Sequence, residues 1–381
     1  MFRKVNNWLH LWLGLTSGLI MLVVCLTGAV WVFADDIREL TDPSVSVVHQ
    51  DGRIISPSEI GGIVQRLYPG EPVNNVFYKN GSAIEVLVKK WGNNPLLLFL
   101  DPYSGRVIYQ RPLEDRLTLF FYWIESGHRN LWLPFKTGRL VVNYGTLVFV
   151  VLLITGLVWW YPKKWNRSTR NKSFKIKWDA KWKRINIDLH NVLGFYAMLI
   201  LLLLSLTGMI YGIKWYNKGL YKITGGGSVP EWSAPLSDST GVKGGLLLET
   251  ALDNVVERVQ KHFPDAAGYF YRMPDTADVK SAIEIDVYPK LNSYYANQSL
   301  CFDRYTAIEI KRDAYYSASF AESGRALKLR RMNYDIHVGR ILGLPGKIIA
   351  CLASLIGASL PVTGFIIWYN RKFGKKGKRR G

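Results

Sequence analysis

The chain of 381 residues is poor in cysteine, with only three. Cys25 and Cys351 sit inside apolar runs and Cys301 stands alone in a polar stretch, so no disulfide framework can be built from them. There is no Cys-x-x-Cys-His, which excludes covalent attachment of a c-type haem. No Gly-x-Gly-x-x-Gly falls at a strand-to-helix turn, so the chain carries no dinucleotide fingerprint of its own. Acid is missing where base is dense. Residues 1–8, 162–190 and 371–381 hold 19 of the 49 Lys and Arg but only two acids, Asp179 and Asp188. These segments therefore carry +17 of the net +20. Because they flank long apolar runs, the charge reads as a membrane-topology signal and not as a nucleic-acid patch.

Four apolar runs are present, at about 9–33, 139–161, 191–214 and 345–369. Each reaches the ~20 residues that a helix needs to cross a hydrocarbon core of ~30 Å. None contains Asp or Glu, and embedded acids are what usually mark an ion or proton path. Trp8, Trp31, Trp159, Trp160, Tyr161, Trp215, Tyr216, Trp368 and Tyr369 stand near the ends as an aromatic belt. The first run is longer than the apolar region of a signal peptide, so an uncleaved span is expected. The basic flanks put the N-terminus, the 162–190 loop and the tail beginning at Lys375 in the cytoplasm. Membrane lipid is thus an expected partner and nucleic acid is not.

The polar stretches between spans read as α+β. Ser56-Pro57-Ser58-Glu59 opens a helix with a capping box, running to about Leu67. Strands are expected at Val73–Tyr78, Ala83–Val88, Leu96–Leu100 and Arg106–Tyr109, with Asn80-Gly81 as a hairpin turn. The second stretch repeats the plan with a helix at Leu246–Phe263. Its strands are expected at Gly268–Arg272, Ala282–Val287, Ser299–Phe302 and Ala307–Ile310. The expected fold is an α-helical membrane protein of four transmembrane helices, internally duplicated, with two periplasmic α+β modules. Its parts are a cytoplasmic start and first helix (1–33), a module (34–138), the second helix (139–161) and a basic cytoplasmic loop (162–190). The third helix (191–214), a second module (215–344), the fourth helix (345–369) and a basic tail (370–381) follow.

The clearest internal repeat is His10-x-x-x-Gly14 leading to Leu26-Thr27-Gly28, matched by His190-x-x-x-Gly194 leading to Leu206-Thr207-Gly208. At about 3.6 residues per turn, the His and both glycines of each copy share one helical stripe. Ile154-Thr-Gly156 and Val362-Thr-Gly364 repeat in the second and fourth spans. Of six histidines, His10 and His190 begin spans on the cytoplasmic side, while His128 and His337 precede spans on the other side. Two neutral imidazoles facing one another suit a six-coordinate b-type haem made for electron transfer. The pattern alone leaves open interfacial snorkelling histidines and glycines used for helix packing. A bare metal-ion site is disfavoured because no carboxylate stands at ligand spacing beside His10 or His190. Asp188 and Asp335, each two residues before a His, read as supporting partners or helix starts. His49 and His262 read as surface residues.

These motifs, with a span ending Thr155-Gly-Leu-Val-Trp-Trp-Tyr161 and another running from Leu344-Pro-Gly-Lys347 to Trp368-Tyr369, resemble the PepSY-associated transmembrane family over essentially the whole chain. The outer modules resemble PepSY domains, and the chain is similar to bacterial inner-membrane di-haem ferric-siderophore reductases. The resemblance implies two non-covalent bis-His b-type haems, with iron ligands at His10 and His190 on the cytoplasmic side and at His128 and His337 on the periplasmic side. It implies a multi-pass inner-membrane oxidoreductase that carries electrons outward, reduces a ferric siderophore and releases Fe(II), fed by a cytoplasmic or quinol donor. Arg129, Trp132, Tyr122 and Arg340 are candidate contacts to an acidic chelate. The second pair repeats less strictly, since His128 to Thr155 spans 27 residues and His337 to Thr363 spans 26. Two other readings compete, a non-catalytic PepSY assembly or peptide-binding protein and a siderophore or iron transporter.

Overall fold

The computed structural model describes residues 1–41, 46–48, 52–89, 94–230, 233–238, 240, 244–312 and 314–374. The tail from Lys375 and the position of His49 lie outside the described residues. In chain order the helices are α1 (Phe2–Trp31), α2 (Ala34–Thr41), α3 (Pro57–Leu67), α4 (Arg116–Asn130), α5 (Phe135–Trp160), α6 (Arg167–Phe174) and α7 (Trp182–Asp188). After a π-helical turn at Leu189–Leu193 come α8 (Gly194–Met209), α9 (Lys214–Ile223), α10 (Leu248–His262), α11 (Arg325–His337) and α12 (Gly343–Lys372). Contacts divide the chain into a helical unit (Met1–Asp35, Phe120–Gly219, Ile336–Gly381) and a sheet unit (Asp36–Leu119, Leu220–Asp335).

In the helical unit, α1 packs on α5 and α12, and α8 packs on the same two helices, which closes a four-helix bundle. Four helical stretches are long and apolar enough to cross a membrane: Phe2–Thr41, Phe135–Trp160, Trp182–Met209 and Arg340–Lys372. They overlap the four expected spans and make this a multi-pass membrane protein. The interior is built from Met21, Cys25, Phe149, Leu153, Leu201 and Ala353. Gly357 lets α12 close in, because a Cβ there would stand 2.9 Å from Leu201 Cδ2 and 3.1 Å from Cys25 Sγ. Small residues serve this purpose between membrane helices, where burial in lipid supplies no hydrophobic gain. Leu19 and Leu199 are 73% and 68% exposed, as lipid-facing positions must be. The third apolar stretch ends at Met209 and not near 214. The chain turns there through Tyr211 N–H to the Gly208 carbonyl and Ile213 N–H to the Met209 carbonyl.

In the sheet unit, the strands are β1 (Val73–Lys79), β2 (Ile84–Val88), β3 (Leu96–Leu100), β4 (Val107–Pro112), β5 (Gly268–Arg272), β6 (Ile283–Tyr288) and β7 (Gln298–Phe302). Both expected α+β stretches form, and they share one antiparallel sheet in the order β4-β3-β2-β1-β5-β6-β7. The seam is β1 against β5, with Phe77 opposite Phe270 and Val76 opposite Tyr271. Pairing them removes two open edges, each of which would leave a row of unbonded N–H and C=O groups. Alternate residues of these strands pack under α3 and α10 in one core that includes Ile60, Val64, Leu98, Leu252, Tyr271 and Ile283. The Ser56 capping box forms with Glu59 as expected. Asp253 on α10 reaches across to accept from Ser58 N (2.9 Å) and Ser58 Oγ (2.6 Å), pinning the two helices together. The expected strand at Ala307–Ile310 is reduced to a single bridge between Phe302 and Glu309. Ala307 has φ of 55° and its N–H bonds the Asp303 carbonyl, so the chain is still turning there.

Ile60 is fully buried beneath the sheet. Ile60→Ala is expected to cost about 2–5 kcal/mol. A lowered unfolding midpoint of the sheet unit in the detergent-solubilised full chain is the check, and an unchanged midpoint contradicts the shared core.

Candidate functional site

All four candidate histidines belong to the helical unit, and the fold pairs them two by two. His10 lies on α1 and His190 in the π-helical turn before α8, with ring centroids 6.4 Å apart and planes at 85°. His128, on α4, and His337, the last residue of α11, have centroids 6.1 Å apart and planes at 54°. A π-turn of this kind often stands at functional sites. Here it carries His190.

Each imidazole rests on a Thr-Gly step of another helix. A Cβ on Gly156 would lie 3.2 Å from His10 Cε1, and one on Gly364 the same distance from His190 Cε1. A Cβ on Gly28 would lie 2.9 Å from His128 Cε1, and one on Gly208 3.1 Å from His337 Cε1. The absent side chain is what admits the ring in all four cases. The adjoining threonines reach Nδ1 in three of them: Thr155 to His10 at 3.0 Å, Thr363 to His190 at 2.9 Å and Thr207 to His337 at 3.0 Å. The Leu204 carbonyl serves His337 at 3.0 Å, and the Val24 carbonyl serves His128 at 2.8 Å.

This geometry chooses the tautomer. The threonine hydroxyls donate to their own helices, Thr155 to the Val151 carbonyl and Thr363 to the Ser359 carbonyl, both at 2.9 Å. Their oxygens therefore accept from Nδ1–H, and a carbonyl can only accept. Nδ1 carries the proton and Nε2 keeps its lone pair, the form that binds a metal. Two imidazoles bound through Nε2 to one metal at about 2.0 Å stand with centroids about 6 Å apart, the separation observed at both pairs. Among the described residues no cluster of three or more His, Cys, Asp or Glu could hold a metal ion. The donor set thus fits a metal whose remaining ligands come from a cofactor, as in a haem. His10 and His190 also line a cavity of about 400 Å³ with apolar walls that include Met21, Phe149 and Met198, and with Arg371 and Lys372 among its lining residues. That volume falls in the range of ligand pockets, ~300–1,000 Å³.

Several expectations shift. Gly28 and Gly208, expected to serve His10 and His190, serve the other pair: α1 supplies His10 at one end and the cradle of His128 at the other, and α8, which follows the turn that carries His190, ends in the cradle of His337. Asp188 does not hold His190; it pairs with Arg184 at 2.7 Å and accepts from Lys177 N at 3.2 Å. Asp335 accepts from Tyr295 N at 2.9 Å. Arg129 is paired with Glu125 at 2.7 Å, Arg340 is paired with Asp35, and Trp132 stacks on Trp123 at 4.7 Å. Tyr122 is exposed, as is His262. Two functional residues were missed: buried Asn6 and Asn186 donate to the Thr155 and Thr363 carbonyls at 3.0 and 3.1 Å, holding the first pair's cradles against its ligand helices. Their signal was available, since each stands four residues before its histidine.

A family model described as the PepSY-associated TM region matches residues 7–371. No curated protein matches the chain.

Gly28→Ala sets a Cβ inside the contact limit of His128 and is expected to push that ring away from His337. Were a haem held at each pair, the bis-imidazole signature of the second should weaken in optical and electron paramagnetic spectra, with the His10–His190 signature unchanged. An unaltered second pair contradicts the cradle.

Proposed function

The chain belongs to the PepSY-associated transmembrane family, and on that premise we propose that it is an inner-membrane di-haem b protein. In this reading it moves electrons from the cytoplasm to the periplasm and reduces ferric siderophores there. The observation that carries this reading is the pairing of His10 with His190 and of His128 with His337, ring centroids 6.4 and 6.1 Å apart, with every Nδ1 bonded to a neighbouring helix. Bound between each pair, a haem would supply reversible one-electron chemistry with no open position for oxygen.

The residues of the chain do the rest. Along α1 the 18 residues from His10 to Gly28 rise about 27 Å, so the two pairs address opposite faces of a core of ~30 Å. The basic loop and the Arg371-Lys372 end support a cytoplasmic side for His10 and His190, and with it cytoplasmic termini. Arg371 and Lys372 are suited to balance the acidic edge of a haem. The apolar walls keep water from the first pair. The sheet unit belongs on the periplasmic side in this reading, and the matching span–module–span halves reflect a duplication. The ferric chelate is the substrate: one electron lowers the charge on the ion, and a hard-oxygen chelator then releases Fe(II). The donor is a reduced cytoplasmic carrier or a quinol.

Protein purified from haem-sufficient cells should show a Soret band and visible bands that sharpen with dithionite. His10→Ala and His337→Ala should each remove about half of the haem. The reduced protein should then deliver Fe(II) from a ferric siderophore to a ferrous chelator. A colourless preparation, or full haem in both variants, overturns the reading.

A further inference from the structure

We propose that α9 is an interfacial helix that seats its apolar side in the bilayer and holds anionic phospholipid headgroups on Lys214, Lys218 and Lys222.

The helix runs over Lys214–Ile223 and none of its residues is buried. At about 3.6 residues per turn its side chains divide in two. Trp215, Tyr216, Leu220 and Ile223 fall on one side, and Lys214, Lys218 and Lys222 form a stripe on the other. Trp215 is 61% and Ile223 85% exposed, so the apolar side needs a cover. No acid stands in the helix, and among the described residues none of the three lysines has an ion-pair partner. A Lys-rich face opposite a Trp- and Leu-bearing one is the pattern of a helix that lies in the membrane surface.

Where the helix starts decides what covers it. After Met209 the chain turns through the Tyr211 and Ile213 N–H groups, and that turn is fastened to α5. Arg139 donates to the Tyr211 carbonyl, and Gly212 lies so close to the Asn143 side chain that a Cβ has no room. Arg139 opens the apolar run of α5, and Asn143 lies one turn inside it. The turn is therefore level with the edge of the membrane core, and α9, beginning two residues after Gly212, starts in the headgroup layer. Trp and Tyr settle there, and lysines reach phosphates while their stems stay on the apolar side. Other covers fit less well. Ten residues make a helix about 15 Å long, far short of the ~800 Å² that each partner gives to a stable protein interface. An acidic chelate would use the lysines and leave Trp215 and Ile223 in water. The helix that follows α1, α2, carries Asp35, Asp36 and Glu39, so only the second half of the chain has the charge for an anionic surface.

The test is Ile223→Cys in the full chain, labelled with an environment-sensitive fluorophore. The protein is placed in lipid nanodiscs of phosphatidylcholine, with and without one third phosphatidylglycerol. The labelled unsubstituted chain gives the background from Cys25, Cys301 and Cys351. The probe should be quenched by a spin-labelled lipid and shielded from acrylamide, and phosphatidylglycerol should deepen both effects. A probe on Lys218→Cys should meet acrylamide freely. Lys214→Gln, Lys218→Gln and Lys222→Gln, made together with Ile223→Cys, should abolish the gain from phosphatidylglycerol, as should high salt. Equal acrylamide quenching at positions 223 and 218 refutes the seat. Shielding from both quenchers means that protein covers the helix, and refutes it too. Lipid quenching that is the same in both nanodiscs, or unchanged by the three Gln substitutions, refutes the headgroup role. Trp215→Cys, on the same side, gives the same readings should the Ile223 variant not fold. None of these outcomes depends on whether haem is bound.

Discussion

A neutral imidazole turned into a packed helical unit has one N–H that must find an acceptor. An unmet polar group there costs several kcal/mol, so the acceptor has to come from a neighbouring helix. The helical unit supplies it four times from the same short stretch of chain: the threonine hydroxyl of a Thr-Gly step for His10 and His190, the carbonyl three residues before that threonine for His128, and both for His337. Glycine brings the ring close enough, and the carbonyl above it is exposed to the ring for the same reason. Because each cradle sits on a different helix from its histidine, the bonds run α1 to α5, α4 to α1, the π-turn to α12 and α11 to α8. Ligand placement and bundle assembly are therefore one interaction, and a ring cannot be lost without loosening a helix contact.

Much of this was legible in the chain. The four apolar runs needed only length and the absence of acid. Most strands of the sheet unit were visible from alternation and turn residues, within a residue or two at their ends. All four ligand candidates were visible too, because His10 and His190 recur with their glycines in register. What stayed hidden was who partners whom. Periodicity along α1 places His10, Gly14 and Gly28 on one stripe, and a stripe says nothing about what approaches it at either end. The threonine before each glycine looked like a marker of the repeat, because its partner lies as far away as His337 from Thr207. Helices α4 and α11, which carry His128 and His337, lack a clean apolar period and were not distinguished from loop. Asp115 accepting from Thr118 N at 2.7 Å was a capping signal for α4 that passed unread.

The charge pattern supports the directional reading proposed above. Base gathers beside His10 and His190, whose cavity has Arg371 and Lys372 in its lining. Around His128 and His337 the arginines are engaged with acids, Arg129 with Glu125 and Arg340 with Asp35.

The seam between β1 and β5 sets a schedule for making the protein. Strands β1 to β4 leave the ribosome well before β5, with two apolar runs still to be inserted between them. Until residue 268 arrives, β1 is an open edge and Val64, Val76 and Leu98 have only part of their final cover. Such long-range strand pairing is slow and leaves surface available to wrong partners. The first half of the sheet must therefore be kept apart from other edges while the second and third spans enter the bilayer. Any delay in that insertion falls on β1 before it falls on the helices.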